Sequence, residues 1–158
     1  MEKFKEIKDE ILRRGYEANA CGDIERAEDS ESMEELARVI KDKFDWCVYN
    51  RVLDTEIIGK YKKEFASVEI YSNESRRDGY VVIDSEVEYL SGNAIAILFG
   101  NATVKEVFGN ATVNLVSDNA YISVYSYIEC QINDHAIMRV RSENKIYTNT
   151  EVERPNNN

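Results

Sequence analysis

Few side chains in this sequence could serve as nucleophiles, metal ligands or proton carriers. Cys21, Cys47 and Cys130 are widely spaced, with no Cys-x-x-Cys pair, so neither a disulfide framework nor a zinc site is expected. The single histidine, His135, has no second imidazole with which to share a metal, and its turn-like surroundings predict a surface residue. No phosphate-binding loop and no Gly-x-Ser-x-Gly elbow occurs. Carboxylates abound, 30 Asp and Glu against 20 Lys and Arg in 158 residues, so a pair of them carries no specificity. The residues predict a non-enzyme with no catalytic residue, no cofactor and no metal.

Charge is the clearer signal. The net charge of −10 excludes wrapping nucleic acid by neutralising its phosphates. The acids are densest at Asp23, Glu25, Glu28, Asp29, Glu31, Glu34 and Glu35, where Arg26 is the only cation. One reading is a solvated loop running into a helix N-terminus, whose dipole favours carboxylates. The functional reading is a negative surface that competes for a basic groove on a protein partner. The Asp-x-Asp-x-Asp-Gly spacing of a calcium loop is missing. No apolar run reaches the roughly 18 residues of a membrane span. The charged opening Met1-Glu2-Lys3-Phe4-Lys5-Glu6 is unlike a secretory signal and predicts a cytosolic protein.

The elements that position these residues divide near Asp78-Gly79, where charge density drops. Residues 1–78 hold 15 basic and 20 acidic side chains, and residues 79–158 hold 5 and 10. Phe4, Ile7, Ile11 and Leu12 predict a helix over about 2–14 that stops at Gly15. Ser32 and Glu35 form a capping box for a helix with one apolar stripe: Leu36, Val39, Ile40, Phe44 and Cys47 or Val48. Asp54 or Thr55 caps a third helix carrying Ile57, Ile58, Tyr61 and Phe65.

The remainder is repetitive. Gly92-Asn93-Ala94, Gly100-Asn101-Ala102, Gly109-Asn110-Ala111 and Asp118-Asn119-Ala120 recur at offsets of eight or nine residues. Ser126-Tyr127-Ile128, Asp134-His135-Ala136 and, more loosely, Glu143-Asn144-Lys145 continue the series. After each corner apolar residues alternate, as in Ala94, Ala96, Leu98 and Ala120, Ile122, Val124, which predicts strands of about five residues. The Gly-Asn or Asp-Asn pair supplies a residue that tolerates the positive φ of a tight corner. The same residue types at the same phase are what stacked coils require. The fold class is therefore α+β: a helical region over 1–78, then a parallel β-solenoid (β-helix) of 8–9-residue strand-turn units over 79–148, and a disordered tail over 149–158. Two units per coil would give about 17 residues and three about 25, and spacing alone selects neither. Ile95, Ile97, Phe99, Tyr121, Tyr125 and Tyr127 fall on the outward phase, a face that the helices, a partner or a second copy would cover.

The segment Gly-Asn-Ala-Thr-Val, intact at 100–104 and 109–113, with Phe44-Asp45-Trp46-Cys47 before it, resembles small proteins of phages and prophages of gut Bacteroidetes. The resemblance spans about Ser32 to Tyr147, and the units before Gly92 and after Ser126 are degenerate. It implies a phage-encoded interaction protein, in an anti-CRISPR-like role, that inhibits a host defence or nucleic-acid-processing protein in the bacterial cytoplasm. It brings no catalytic or binding residues. The expected partner surface is thus the acidic segment together with Tyr121, Tyr125 and Tyr127. The alternative is a bactofilin-like structural module that assembles with copies of itself.

Overall fold

The computed structural model describes residues 2–20 and 22–149 and the backbone of 154–155. The chain divides between Tyr71 and Ser72 into two compact units, and each is described by itself.

Among its described residues the first unit contains six helices: α1 (Glu2–Glu17), α2 (Asp23–Asp29), α3 (Met33–Asp42), α4 (Phe44–Tyr49), α5 (Thr55–Lys60) and α6 (Lys62–Ala66). Ile7, Ile11, Leu36, Ile40, Phe44, Ile57 and Phe65 are buried as the apolar stripes predict, whereas Phe4, Leu12 and Val39 are half-buried, and Leu53, outside the stripes, is buried too. Ser32 caps α3, its side chain accepting from Glu35 N at 3.1 Å. Asp54 caps α5 by accepting from Ile57 N at 3.0 Å. The Glu35 carboxylate accepts from Glu31 N at 2.7 Å, one residue before the N-cap that a capping box would engage.

Four expectations for this unit are corrected. The third helix is not continuous, because Tyr61 (φ −119°, ψ 46°) separates α5 from α6. Gly15 does not stop α1, which continues to Glu17. It is buried where α2 approaches, and a Cβ there would lie 2.7 Å from Ile24 Cδ1. Its lack of a side chain serves packing rather than termination. The acidic stretch after Gly22 is not a loop but α2, held by Ala27, which is buried, with Ile24 half-buried. Two apolar residues are too few for a readable periodicity. The stripe from Leu36 to Val48 is not one helix, because Lys43 (φ −126°, ψ 38°) separates α3 from α4. On either side of the break Asp42 pairs with Arg26 at 2.9 Å and Lys43 faces Asp23 at 3.7 Å. Contacts to α2 thus accompany a break that no Gly or Pro marks.

Glu10 bridges Arg13 and Arg14 at 2.6 and 2.8 Å. Arg13 first, then Arg14, holds its carboxyl down at about 2, below the ordinary 4.5. Because the folded value is the lower one, the stabilisation is complete above pH 4.5 and fades as pH falls toward 2. With 31% of the side chain exposed, solvent screening limits the contribution to about 1 kcal/mol. Glu10→Gln is expected to lose that amount near neutrality, and the difference from the parent shrinks on acidification, as denaturant titrations at several pH values would show.

The second unit is a β-solenoid of about four turns. Its strands are β1 (Ile70–Ser72), which straddles the division, β2 (Tyr80–Ile83), β3 (Glu86–Leu90), β4 (Ile95–Leu98), β5 (Thr103–Val107), β6 (Thr112–Val116), β7 (Tyr121–Val124), β8 (Gln131–Ile132), β9 (Ile137–Val140), β10 (Lys145–Thr148) and β11 (Arg154–Pro155). One sheet runs β1-β2-β4-β6-β8 and the other β11-β10-β9-β7-β5-β3. From β2 to β9 consecutive strands therefore alternate between two sheets, and each coil holds two strands, the smaller of the two cross-sections that spacing allowed. Tyr80 pairs in parallel with Ile95 and Ile95 with Thr112. In the other sheet Glu86 pairs with Thr103, Thr103 with Tyr121 and Tyr121 with Ile137.

Ala94, Ala96, Leu98, Ala102, Val104, Val113, Ile122, Val124, Met138 and Val140 are buried as the alternation predicts. The corners take the expected left-handed conformation at Gly92, Gly100, Gly109, Asp118 and Asp134, with φ between 55° and 69°. The mixed eight- and nine-residue spacing has a structural consequence. A nine-residue unit stacked on an eight-residue one has a residue to spare, and the register slips where this happens: between Ala96 and Ile97 against β6, and between Val104 and Val107 against β7. Each slip is a bulge that restores the phase of the apolar residues.

Two units depart from the pattern. Ser126 does not adopt positive φ; the strand expected from Ile128 to Ile132 shrinks to Gln131–Ile132, and Ile128, Cys130 and Ile132 are only half-buried. A serine in the left-handed region costs roughly 1–2 kcal/mol more than glycine, so the corner is replaced by an open bend. The loose unit at Glu143-Asn144-Lys145 is not a further coil, because β10 returns antiparallel to β9; its short connection permits only a hairpin. The tail expected to be disordered lies outside the described residues, apart from Asn149 and the backbone of β11, which pairs antiparallel with β10.

Candidate protein-interaction site

The acidic residues occupy two consecutive short helices of the first unit. Asp23 opens α2 half-exposed, while Glu25, Glu28 and Asp29 are exposed along it. Glu31 lies in the link, and Glu34 and Glu35 are exposed in the first turn of α3. They are not chemically equal. Asp23 faces Arg26 at 3.4 Å and Lys43 at 3.7 Å. Glu28 accepts the Tyr16 hydroxyl, which holds that phenol above its usual range, and Glu35 is committed to Glu31 N. Glu25, Asp29, Glu31 and Glu34 have no cationic partner among the described residues. Four exposed, unneutralised carboxylates within one short stretch present the kind of field that steers a basic partner.

The three tyrosines belong to the second unit, and they separate. Tyr121 lies half-buried within β7. Tyr125 is 63% exposed, with the Arg141 guanidinium 5.9 Å from its ring centroid. Tyr127 is exposed and its ring stands 5.0 Å from that of Tyr147. The outward face is also divided: Ile97 and Phe99 are buried, and Ile95 is half-buried. Only its later aromatic residues are open to water. Phe108, 49% exposed with its centroid 6.1 Å from that of Tyr89, joins them and was not expected. It follows Val107, which pairs with Val124, so Phe108 and Tyr125 hold equivalent positions one coil apart. That phase is present in the sequence and becomes visible once two strands are assigned to each coil.

Among the described residues, the groups that could do covalent chemistry lie apart. His135 is exposed on its corner, where its backbone N–H donates to Asp118 O at 2.9 Å. Cys47 and Cys130 are free. Burial, aided by the Asp23 charge, pushes the Cys47 thiol up to about 12, and burial pushes Cys130 up to about 11, so both remain protonated and weakly nucleophilic near neutrality. Cys21 lies outside the described residues. Among the described residues, no three His, Cys, Asp or Glu side chains are grouped to hold a metal ion, and no helix is long and apolar enough to cross a membrane.

Fold and surface together define a class: a helical unit with an acidic face, followed by a two-sheet parallel β-solenoid module. No protein family, characterised protein or solved structure matches the chain.

Proposed function

We propose that this chain is a non-enzymatic interaction protein whose α2–α3 carboxylates occupy a basic surface of a protein partner. The observation that carries this is the set Glu25, Asp29, Glu31 and Glu34, exposed and without a cationic partner among the described residues. Carboxylates that a fold needs for itself are capped or paired, as Asp54 and Glu10 are. The partner that fits best is a nucleic-acid enzyme, whose phosphate-binding surface is basic by necessity. Occupying that surface would inhibit a host defence or nucleic-acid-processing protein, the anti-CRISPR-like role implied by the phage-type repeat, and would place the chain in the bacterial cytoplasm.

Recovery of a nucleic-acid enzyme from a bacterial lysate is expected near 0.1 M salt, where screening reaches about 10 Å, and loss is expected near 1 M, where it reaches about 3 Å. Changing Glu25, Asp29, Glu31 and Glu34 together to lysine is expected to weaken binding at least about 100-fold, with circular dichroism unchanged because none of the four caps or packs. Equal recovery by the parent and this variant would overturn the reading. The exposure of Phe108, Tyr125 and Tyr127 favours a second reading, a solenoid that assembles with copies of itself. Light scattering across a wide concentration range tests it, and a constant monomer mass excludes it.

A further inference from the structure

The helical unit contains a half-open cavity of about 330 Å³, within the range of small-molecule sites. Four helices supply its apolar walls: Ile11 from α1, Ile24 and Ala27 from α2, Val39 from α3 and Trp46 from α4. Polar groups are few, as in sites where an apolar body is held by shape and a head group by a few donors. Asp23, Lys43 and Asn19 contribute to the lining. Both Asp23 oxygens already face cations, Oδ1 toward Arg26 at 3.4 Å and Oδ2 toward Lys43 at 3.7 Å. The Lys43 ammonium, at that separation, is beyond ordinary hydrogen-bond length, and its side chain is 53% exposed. Its N–H donors therefore remain available to a ligand, whereas the one carboxylate in the lining is engaged.

We propose that this cavity binds a small molecule with a ring-sized apolar body and an anionic head, the body resting against Ile11, Ile24, Val39 and Trp46 and the head receiving N–H donors from Lys43. A cationic head is disfavoured, because it would compete with Arg26 and Lys43 for Asp23. Binding is non-covalent: Cys47, which also lines the cavity, stays protonated near neutrality. The site uses none of Glu25, Asp29, Glu31 and Glu34, so either proposal can fail while the other stands.

Trp46 is the chain's single tryptophan, so its indole N–H gives one signal in a proton–nitrogen correlation spectrum, a local reporter. Titrating the full chain with naphthalene-1-acetate is expected to move that signal to saturation at one site. The neutral naphthalene-1-acetamide is expected to bind about tenfold more weakly, and Lys43→Gln, a change at an exposed side chain, is expected to erase that preference. Filling the cavity with Ala27→Phe, or independently with Val39→Phe, is expected to weaken both probes at least tenfold in a protein whose spectrum stays dispersed. An indole signal that neither probe moves, or a folded filled variant that binds as well as the parent, overturns the site. Equal affinity for the two probes, unaltered by Lys43→Gln, overturns the anionic head.

Discussion

Gly92→Ala is expected to lower the unfolding free energy by about 3 kcal/mol, whereas Gly100→Asp stays within about 1 kcal/mol of the parent. Both glycines are left-handed, with φ of 59° and 60°, so torsional strain alone would give them similar costs. Their neighbours differ. A Cβ on Gly92 would lie 2.2 Å from the Arg77 carbonyl oxygen, whereas at Gly100 the nearest atom is Asp84 Cβ at 3.6 Å, an ordinary contact. At position 92 backbone must yield to backbone, and the coil cannot shift without disturbing hydrogen bonds on its other side. The chain itself demonstrates the tolerance of the other edge. Asp118 and Asp134 are left-handed there, with φ of 57° and 55°. The Asp118 side chain accepts from Gly100 N at 2.8 Å, and the Asp134 side chain accepts from Asp118 N at 3.3 Å. An aspartate therefore fits the left-handed corner at this edge. Denaturant unfolding of the two variants measures the contrast, and equal costs would show that the edges do not differ in packing.

The second large effect is in the helical unit. Phe65→Ala is expected to cost about 3–5 kcal/mol, against less than about 1 kcal/mol for Phe108→Ala. Phe65 is fully buried, with 0% of its surface exposed, whereas Phe108 keeps 49%. The same ring deletion therefore leaves a cavity in one place and an open surface in the other. Phe65 sits on α6, a helix of 5 residues that is too short to hold itself together and depends on packing for its existence. The deletion should thus also free the chain around α6, which faster amide exchange at 62–66 would report. A loss below 1 kcal/mol at Phe65 would mean that the site collapses to fill the hole.

Most of the solenoid was legible in the residues. Period-two apolar residues marked much of the buried set from Ala94 to Val140, though not Ile97 and Phe99, and the recurring Gly-Asn and Asp-Asn pairs marked the left-handed corners. Both are local properties: alternation reports which side of a strand is buried, and positive φ is a steric preference of one residue. The corner at Ser126 failed for a local reason also visible in the sequence, since serine lacks the freedom of glycine. The capping residues Ser32 and Asp54 were equally plain, because a side-chain oxygen three residues before a backbone N–H is a matter of spacing.

The candidate sites were legible by residue type and not by state. The acidic segment was evident, yet its folding into α2 was not, because Ile24 and Ala27 gain burial only when α1 and α3 are present. Which carboxylates stay unneutralised depended on distant partners: Asp23 found Lys43, and Glu28 found Tyr16. The break at Lys43 and the cavity beside Trp46 likewise follow from how four helices meet, and no stripe of apolar residues encodes a gap between stripes. By itself the sequence determined the acidity, the helical region, the caps and the coiling of the second unit, since each depends on neighbours along the chain. Only the tertiary structure decided two strands per coil, the bulges, the pairing of charges and the cavity, because these are set by residues far apart in sequence that meet only when the chain has folded.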